Sequence, residues 1–235
     1  MALNGTGGTT VGAPTVTLTF DNGPVAGVTD HVLDVLADAG APAVFFVVGD
    51  CVARPGGADL VRRALAEGHR VGSHTATHTQ LLGLAADPAG AVAAEMAGPA
   101  TVVGALGGEE RLHRPYAAGG VLDRRVLNQQ AVDHMVARRW TCALWTCVPH
   151  DWDDPDGWAD RALAHVEVTP WSVIVLHDVA AAPVAHLPRV LAALAERGAR
   201  LSADLPAAVT PIRDGEVVAD LSALLPVPST LEETQ

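Results

Sequence analysis

The chain has 235 residues, is 49% hydrophobic and carries a formal net charge of −12, with 15 basic residues that are all Arg. That length and apolar content suit one domain with a full core. The acidic balance argues against nucleic acid and anionic membrane as partners, because phosphates would be repelled, and it leaves neutral ligands such as sugars and amides open.

Residues 1–13 have neither a basic region nor an apolar run of the kind that opens a secretory signal. They read as a flexible lead on a cytoplasmic protein, and no later apolar run approaches the length of a bilayer span. Cys51, Cys142 and Cys147 are odd in number and lack ligand spacing, so they are expected as small buried hydrophobes in a reducing compartment.

From Val16 to Phe20 the chain is almost continuously apolar, the pattern of a strand buried on both faces. Thr29–Ala39 then has helical period and stops at Gly40, and Ala43–Val48 is a second strand-like run. Ala58–Glu67 is helical up to Gly68, and a short strand ends near Val71. Asp87 offers an N-cap before Pro88 at the first helical position of Pro88–Ala97, within an Ala- and Gly-rich stretch, Leu84 to Gly108, that reads as a helix and a loose loop. Val121–Ala137 is expected as helix, Thr141–Thr146 as strand, Trp158–Val166 as helix, Ser172–Leu176 as strand and Val184–Arg197 as helix before Gly198. The remainder, residues 207–235, is broken by prolines and is expected as a loosely packed tail. Repeated strand–helix units imply parallel strands with right-handed crossovers, a pattern that an open doubly wound sheet and a closed barrel both satisfy.

Polar residues collect where the apolar strands end: Asp21 and Asn22 after the first, His74 and His78 after the strand near Val71, Asp151 beyond Thr146, and His177 with Asp178 after Leu176. In parallel α/β folds the ligand site lies at the carboxyl ends of the strands, so these groups should converge. Two imidazoles four residues apart, His74 and His78, are close enough to hold one divalent ion, although that spacing alone is weak evidence among ten histidines.

Thr19-Phe20-Asp21-Asn22-Gly23-Pro24 resembles the TFDDGP motif of the polysaccharide deacetylases, the NodB-homology or family 4 carbohydrate esterases. The segment from Gly68 to His78 resembles their GHxxxxHTxxH segment, and His113-Arg114-Pro115-Tyr116 their RPPY segment. Asp151-Trp152 resembles the end of DxxDW, and Ile174 to Asp178 the closing motif in its LHD form. All occur in the family's order over residues 14–206. The resemblance implies an α/β fold of distorted (β/α)7, TIM-like barrel type, in a single domain.

It also implies roles. Asp21 would be the general base toward water, and Arg114 would keep it ionised. His74 and His78, with the residue at position 22, would ligate a divalent metal, zinc before nickel or cobalt. His177 would be the general acid toward the departing amine, oriented by Asp151. A backbone N–H of the Arg114–Tyr116 loop would complete an oxyanion hole, and Tyr116, Trp152 and Leu176 would wall the acetyl pocket.

Three positions depart from the family pattern. Asn22 stands where the family has a carboxylate ligand, the segment at Arg114 is one residue short of RPPY, and Val148 stands at the first Asp of DxxDW. An amide oxygen brings no charge, which weakens a zinc site. The leading reading is metal-dependent N-deacetylation of a small cytosolic amino-sugar-like substrate. A metal-independent amide or cyclic-amide hydrolase of the same superfamily and a non-catalytic binder of sugar or acyl compounds are the alternatives.

Overall fold

The computed structural model describes residues 12–179 and 184–227. Most of the expected flexible lead, and the chain beyond Val227, lie outside the described residues.

Seven parallel strands form the frame: β1 (Thr15–Asp21), β2 (Ala43–Val47), β3 (Arg70–Ser73), β4 (Leu112–His113), β5 (Thr141–Cys142), β6 (Trp171–His177) and β7 (Arg200–Leu201). Neighbours run β6–β1–β2–β3–β4–β5, and β7 joins the first two residues of β1. Beyond β5 the chain swings back to β6. The Cys147 N–H reaches the Val173 carbonyl at 3.1 Å, and the Val175 N–H reaches the Cys147 carbonyl at 2.9 Å. This bridge closes the ring, so the barrel, rather than the open sheet, is what the chain forms.

Helices cover the outside: α1 (Thr29–Asp38), α2 (Gly49–Val52), α3 (Gly57–Ala66), α4 (Pro88–Val92), α5 (Gly98–Ala105), α6 (Gln129–Arg138), α7 (Trp158–Val168) and α8 (Leu187–Glu196). Val16, Leu18, Phe20, Ile174 and Leu176 pack beneath α1, α3, α7 and α8 in the largest apolar cluster. Each such side chain contributes roughly 1.5–3 kcal/mol on leaving water. The barrel interior holds a smaller group, Val44, Phe46, Leu112 and Ala143. Gly40, Gly68 and Gly198 end their helices at φ of 59°, 87° and 65°, the left-handed caps the sequence asks for. The Asp87 side chain caps α4 by accepting the Gly90 N–H at 3.0 Å, with Pro88 in the first turn.

Four segments differ from expectation. The strand expected over Thr141–Thr146 is regular only at Thr141 and Cys142, because the Ala143 and Leu144 carbonyls are taken by the Arg114 guanidinium rather than by a neighbouring strand. The helix expected from Val121 begins at Gln129, where the Asn128 side chain caps it by accepting the Ala131 N–H at 2.8 Å. The loose loop expected after Ala97 is instead helix α5, reached through a π-helical turn at Ala93–Ala97.

The segment from Ala207 to Val227 is no loose tail. It adds β8 (Ile212–Arg213) antiparallel to β5 and β9 (Glu216–Val217) against β8. Val209, Ile212, Leu221 and Leu224 are buried against Ala131, Val132 and Met135 of α6. Prolines shorten the strands but leave these apolar side chains free to fill the groove.

Candidate active site

The register of the sheet sets Asp21 beside His177, the last residues of β1 and β6. His74 directly follows β3, and Arg114 directly follows β4. All four therefore stand at the carboxyl end of the barrel, around a cavity of about 210 Å³ that Asp21, Asn22, His74, His78, Tyr116, Trp152 and His177 line.

Arg114 is fully buried and every arm of its guanidinium is used. Nη1 donates to Asp21 Oδ1 at 2.8 Å and to Thr19 Oγ1 at 2.7 Å, Nη2 to the Leu144 carbonyl at 3.0 Å and Nε to the Ala143 carbonyl at 3.3 Å. The guanidinium also lies 4.0 Å from the centroid of the Phe46 ring. Burial pulls the Arg114 pKa below its ordinary value while the Asp21 charge opposes the shift, and a guanidinium stays charged. Asp21 Oδ1 is thus occupied, and Oδ2 stands 3.6 Å from His74 Nε2.

The His74 ring is fixed by Nδ1, which donates to the Arg114 carbonyl at 2.9 Å and so leaves Nε2 as the lone-pair nitrogen toward Asp21. The His78 ring lies 4.8 Å from that of His74 and 4.2 Å from that of Tyr116. Burial holds both imidazole pKa values down to about 3, so both are neutral at physiological pH, the form that ligates metals. Asn22, at a left-handed φ of 76°, has a buried Oδ1 with no hydrogen-bond partner among the described residues. Among the described residues no three His, Cys, Asp or Glu side chains cluster as a metal site. The donors present, two neutral imidazoles and an unpartnered amide oxygen, nevertheless fit a divalent cation, with a donor set that brings no charge.

Next to Asp21 on the neighbouring strand, His177 Nδ1 donates to Asp151 Oδ1 at 2.7 Å, and Asp151 Oδ2 accepts the His177 backbone N–H at 2.8 Å. Burial works against the imidazolium. The Asp151 hydrogen bond and charge, with Asp21 and Asp178 behind them, outweigh it and raise the pKa. The Trp152 ring stands edge-on to His177 at 4.8 Å.

One expected wall residue is absent from the cavity. Leu176 points outward into the helix-covered core, and its neighbour Val175 lines the cavity instead. The cause is strand alternation: with His177 facing in, Leu176 must face out. Trp145 and Val148 also line the cavity, and Tyr116 and Ala117 both do. Thus the shortened segment still delivers its Tyr ring.

Two carboxylates stand behind the site: Asp178, which the sequence places at the end of its strand without a role, and Glu95, which it does not single out. Asp178 is buried, accepts the Gly23 N–H at 2.9 Å and the Thr29 hydroxyl at 2.6 Å, and ties the turn after β1 to the start of α1. Burial raises its pKa to about 7, with the Asp21 charge adding to the shift and the two hydrogen bonds opposing it. A side chain at position 23 would overlap this carboxylate, which is why glycine stands there. The second, Glu95, sits outside the cavity lining and contacts the turn between His74 and His78.

Away from the cavity, His69 accepts the Ala43 N–H at 3.2 Å, but its Nε2, like that of His134, has no partner among the described residues. His113, fully buried with Nδ1 on Ser73, is held neutral by burial, its pKa pushed down to about 3. The unfolded chain therefore takes up this proton near pH 6.5 while the folded chain does not. Stability is fully present above that pH and falls as the pH drops, by about 1.4 kcal/mol per unit for one such group. Urea midpoints measured from pH 7 to 5 should decline, and His113→Asn should remove about that slope.

The polysaccharide deacetylase family model matches residues 8–135. A chitooligosaccharide deacetylase of Sinorhizobium fredii is 36% identical over 170 residues, 71% of this chain and 73% of that protein. The chain belongs to the polysaccharide deacetylase family. Among solved structures of the family, a polysaccharide deacetylase from Bacillus cereus aligns with a TM-score of 0.67 and 28% identity, over 86% of this chain and all of that one. A family 4 carbohydrate esterase from Streptomyces lividans, in complex with acetate, aligns with a TM-score of 0.66 and 25% identity, over 80% of this chain and 91% of that one. As a polysaccharide deacetylase, this chain is a hydrolase of the class that acts on N-acetyl C–N bonds.

Proposed function

We propose that this deacetylase removes the acetyl group from N-acetylglucosamine units of a short soluble oligosaccharide, with a divalent cation at His74, His78 and Asn22. The observation that carries the reading is the pair of oriented ion pairs, Asp21–Arg114 and His177–Asp151, whose Asp21 and His177 side by side line one cavity. Support for the sugar comes from relatives: chitooligosaccharide deacetylases, and peptidoglycan N-acetylglucosamine deacetylases of Listeria monocytogenes that are 50% identical over 66 residues.

His74 Nε2, a His78 nitrogen and Asn22 Oδ1 would hold the cation, which when bound supplies Lewis acidity toward the acetyl carbonyl. The free Asp21 oxygen accepts a proton from the attacking water, while Arg114 fixes the carboxylate through its other oxygen. His177, its pKa raised by Asp151 and its ring oriented through Nδ1, presents Nε2 to the departing nitrogen and in its protonated form donates the proton it needs to leave as an amine. Water and the N-acetyl amide become acetate and the free amino sugar. Tyr116, Trp145 and Trp152 give the cavity apolar walls against which a sugar ring and an acetyl methyl can pack.

The test is acetate release from N-acetylglucosamine oligomers by the purified chain and by His177→Ala. The proposal predicts release that rises with zinc, and a loss of 10²–10⁴-fold in His177→Ala. A panel of oligomers yielding no acetate above the His177→Ala background would contradict it.

A further inference from the structure

The two imidazoles of the site stand at the ends of the turn His74 to His78, and that turn does not hold itself. Thr75 and His78 both adopt left-handed φ, 61° and 58°, a region that side-chain-bearing residues enter only under constraint. Part of the constraint is local: Thr75 Oγ1 accepts the His78 N–H at 3.0 Å. Another part comes from the start of α2, where the Gly49 and Asp50 N–H groups donate to the Thr75 and Ala76 carbonyls at 3.0 and 2.9 Å.

The third part is a charge from elsewhere in the chain. Glu95 is 6% exposed, and its carboxylate faces the turn. Oε2 accepts the N–H groups of Ala76 and Thr77, each at 3.0 Å, and Oε1 accepts the Thr77 hydroxyl at 2.9 Å. A carboxylate acceptor makes bonds about twice as strong as a neutral one, and these three converge on the residues between the two imidazoles.

The helix is shaped to deliver it. Pro99 lacks an N–H and its ring conflicts with the carbonyl four residues earlier, which is that of Glu95. The chain answers with the π-helical turn Ala93–Ala97 before Gly98 and Pro99, and Glu95 is the centre of that turn. Such single turns inside helices are frequent at functional sites. Otherwise this stretch carries small and apolar residues, AVAAEMAGPA, so a buried carboxylate here has no role in packing the helix.

We propose that Glu95 is a positioning residue, which holds the His74–His78 turn in the shape that turns both imidazoles into the cavity. The inference rests on the reading of those imidazoles as metal ligands, and its test separates the two. Outer-sphere partners of metal ligands are worth 10–100-fold in metal affinity. Zinc titrated calorimetrically into the full chain should therefore bind 10–100-fold more weakly to Glu95→Ala. Glu95→Gln keeps one oxygen for the two backbone amides and should recover most of the loss. Glu95→Asp keeps the charge but withdraws it by one methylene, so it should resemble the alanine variant while securing the fold. In metal-free protein, amide exchange at Ala76 and Thr77 should rise in Glu95→Ala and Glu95→Asp, with Leu18 and Ile174 in the barrel staying protected. Unchanged exchange at Ala76 and Thr77 would overturn the proposal, whatever zinc does. If the parent chain binds no zinc yet those amides open in both variants, Glu95 keeps its positioning role and the metal reading falls.

Discussion

Replacing Arg114 with Met should lower the free energy of unfolding by about 3–5 kcal/mol and kcat/KM at least about 100-fold. Arg114 is wholly buried and is the cation that pairs with Asp21, itself 3% exposed. Removing it leaves a carboxylate in the barrel interior with no counter-charge. It also leaves the Ala143 and Leu144 carbonyls without the donors that drew them out of strand pairing. Met fills much of the volume, so the loss reads out charge and hydrogen bonding rather than a cavity. Arg114→Lys should fall in between, because an ammonium can answer the charge but cannot reach Asp21 and two carbonyls at once. Urea denaturation measures the first effect and initial rates the second. A change in stability below about 1 kcal/mol in Arg114→Met would show that Asp21 finds its partner elsewhere.

Asn22→Asp should move metal affinity and metal-free stability in opposite directions. The amide oxygen now at position 22 is buried and unpartnered, next to two neutral imidazoles. A carboxylate there would give the donor set its own negative charge, and zinc affinity should rise at least tenfold, which is about 1.4 kcal/mol. Without metal the same carboxylate would face Asp21, and like charges sharing a site repel. The metal-free variant should therefore melt below the parent, and zinc should raise its melting temperature by more than it raises the parent's. Calorimetric titration and thermal melts with and without zinc check both signs. A variant that binds zinc no better than the parent would remove residue 22 from the ligand set.

Much of the fold was open to reading because strand burial and helix capping are local signals. Val16–Phe20 and Ser172–Leu176 are buried on both faces, and both are strands of a parallel barrel. Gly40, Gly68 and Gly198 end their helices at positive φ. What was not legible depends on non-local partners. Nothing near Ala143 announces that its carbonyl is claimed by Arg114, so the apolar run alone extends β5 to Thr146. The prolines after Pro206 hid leucines that a distant helix buries.

At the site, the groups on motif positions come together around one cavity, apart from Leu176. There the motif was read without the phase of the strand: an inward His177 sets Leu176 outward and Val175 inward. Glu95 lay in a stretch that looked like indifferent helix. The signal that marks it is a lone carboxylate among small apolar residues, four positions before a helix-breaking proline.

Metal-assisted deacetylation by a site whose ligands bring no charge of their own can be read from acetate release from an N-acetylglucosamine oligomer, using protein stripped with EDTA and then titrated with zinc. The stripped protein should release none, and the rate should climb to a plateau at one zinc per chain. A rate that EDTA leaves untouched would contradict it, and would assign the hydrolysis to Asp21 and His177 alone.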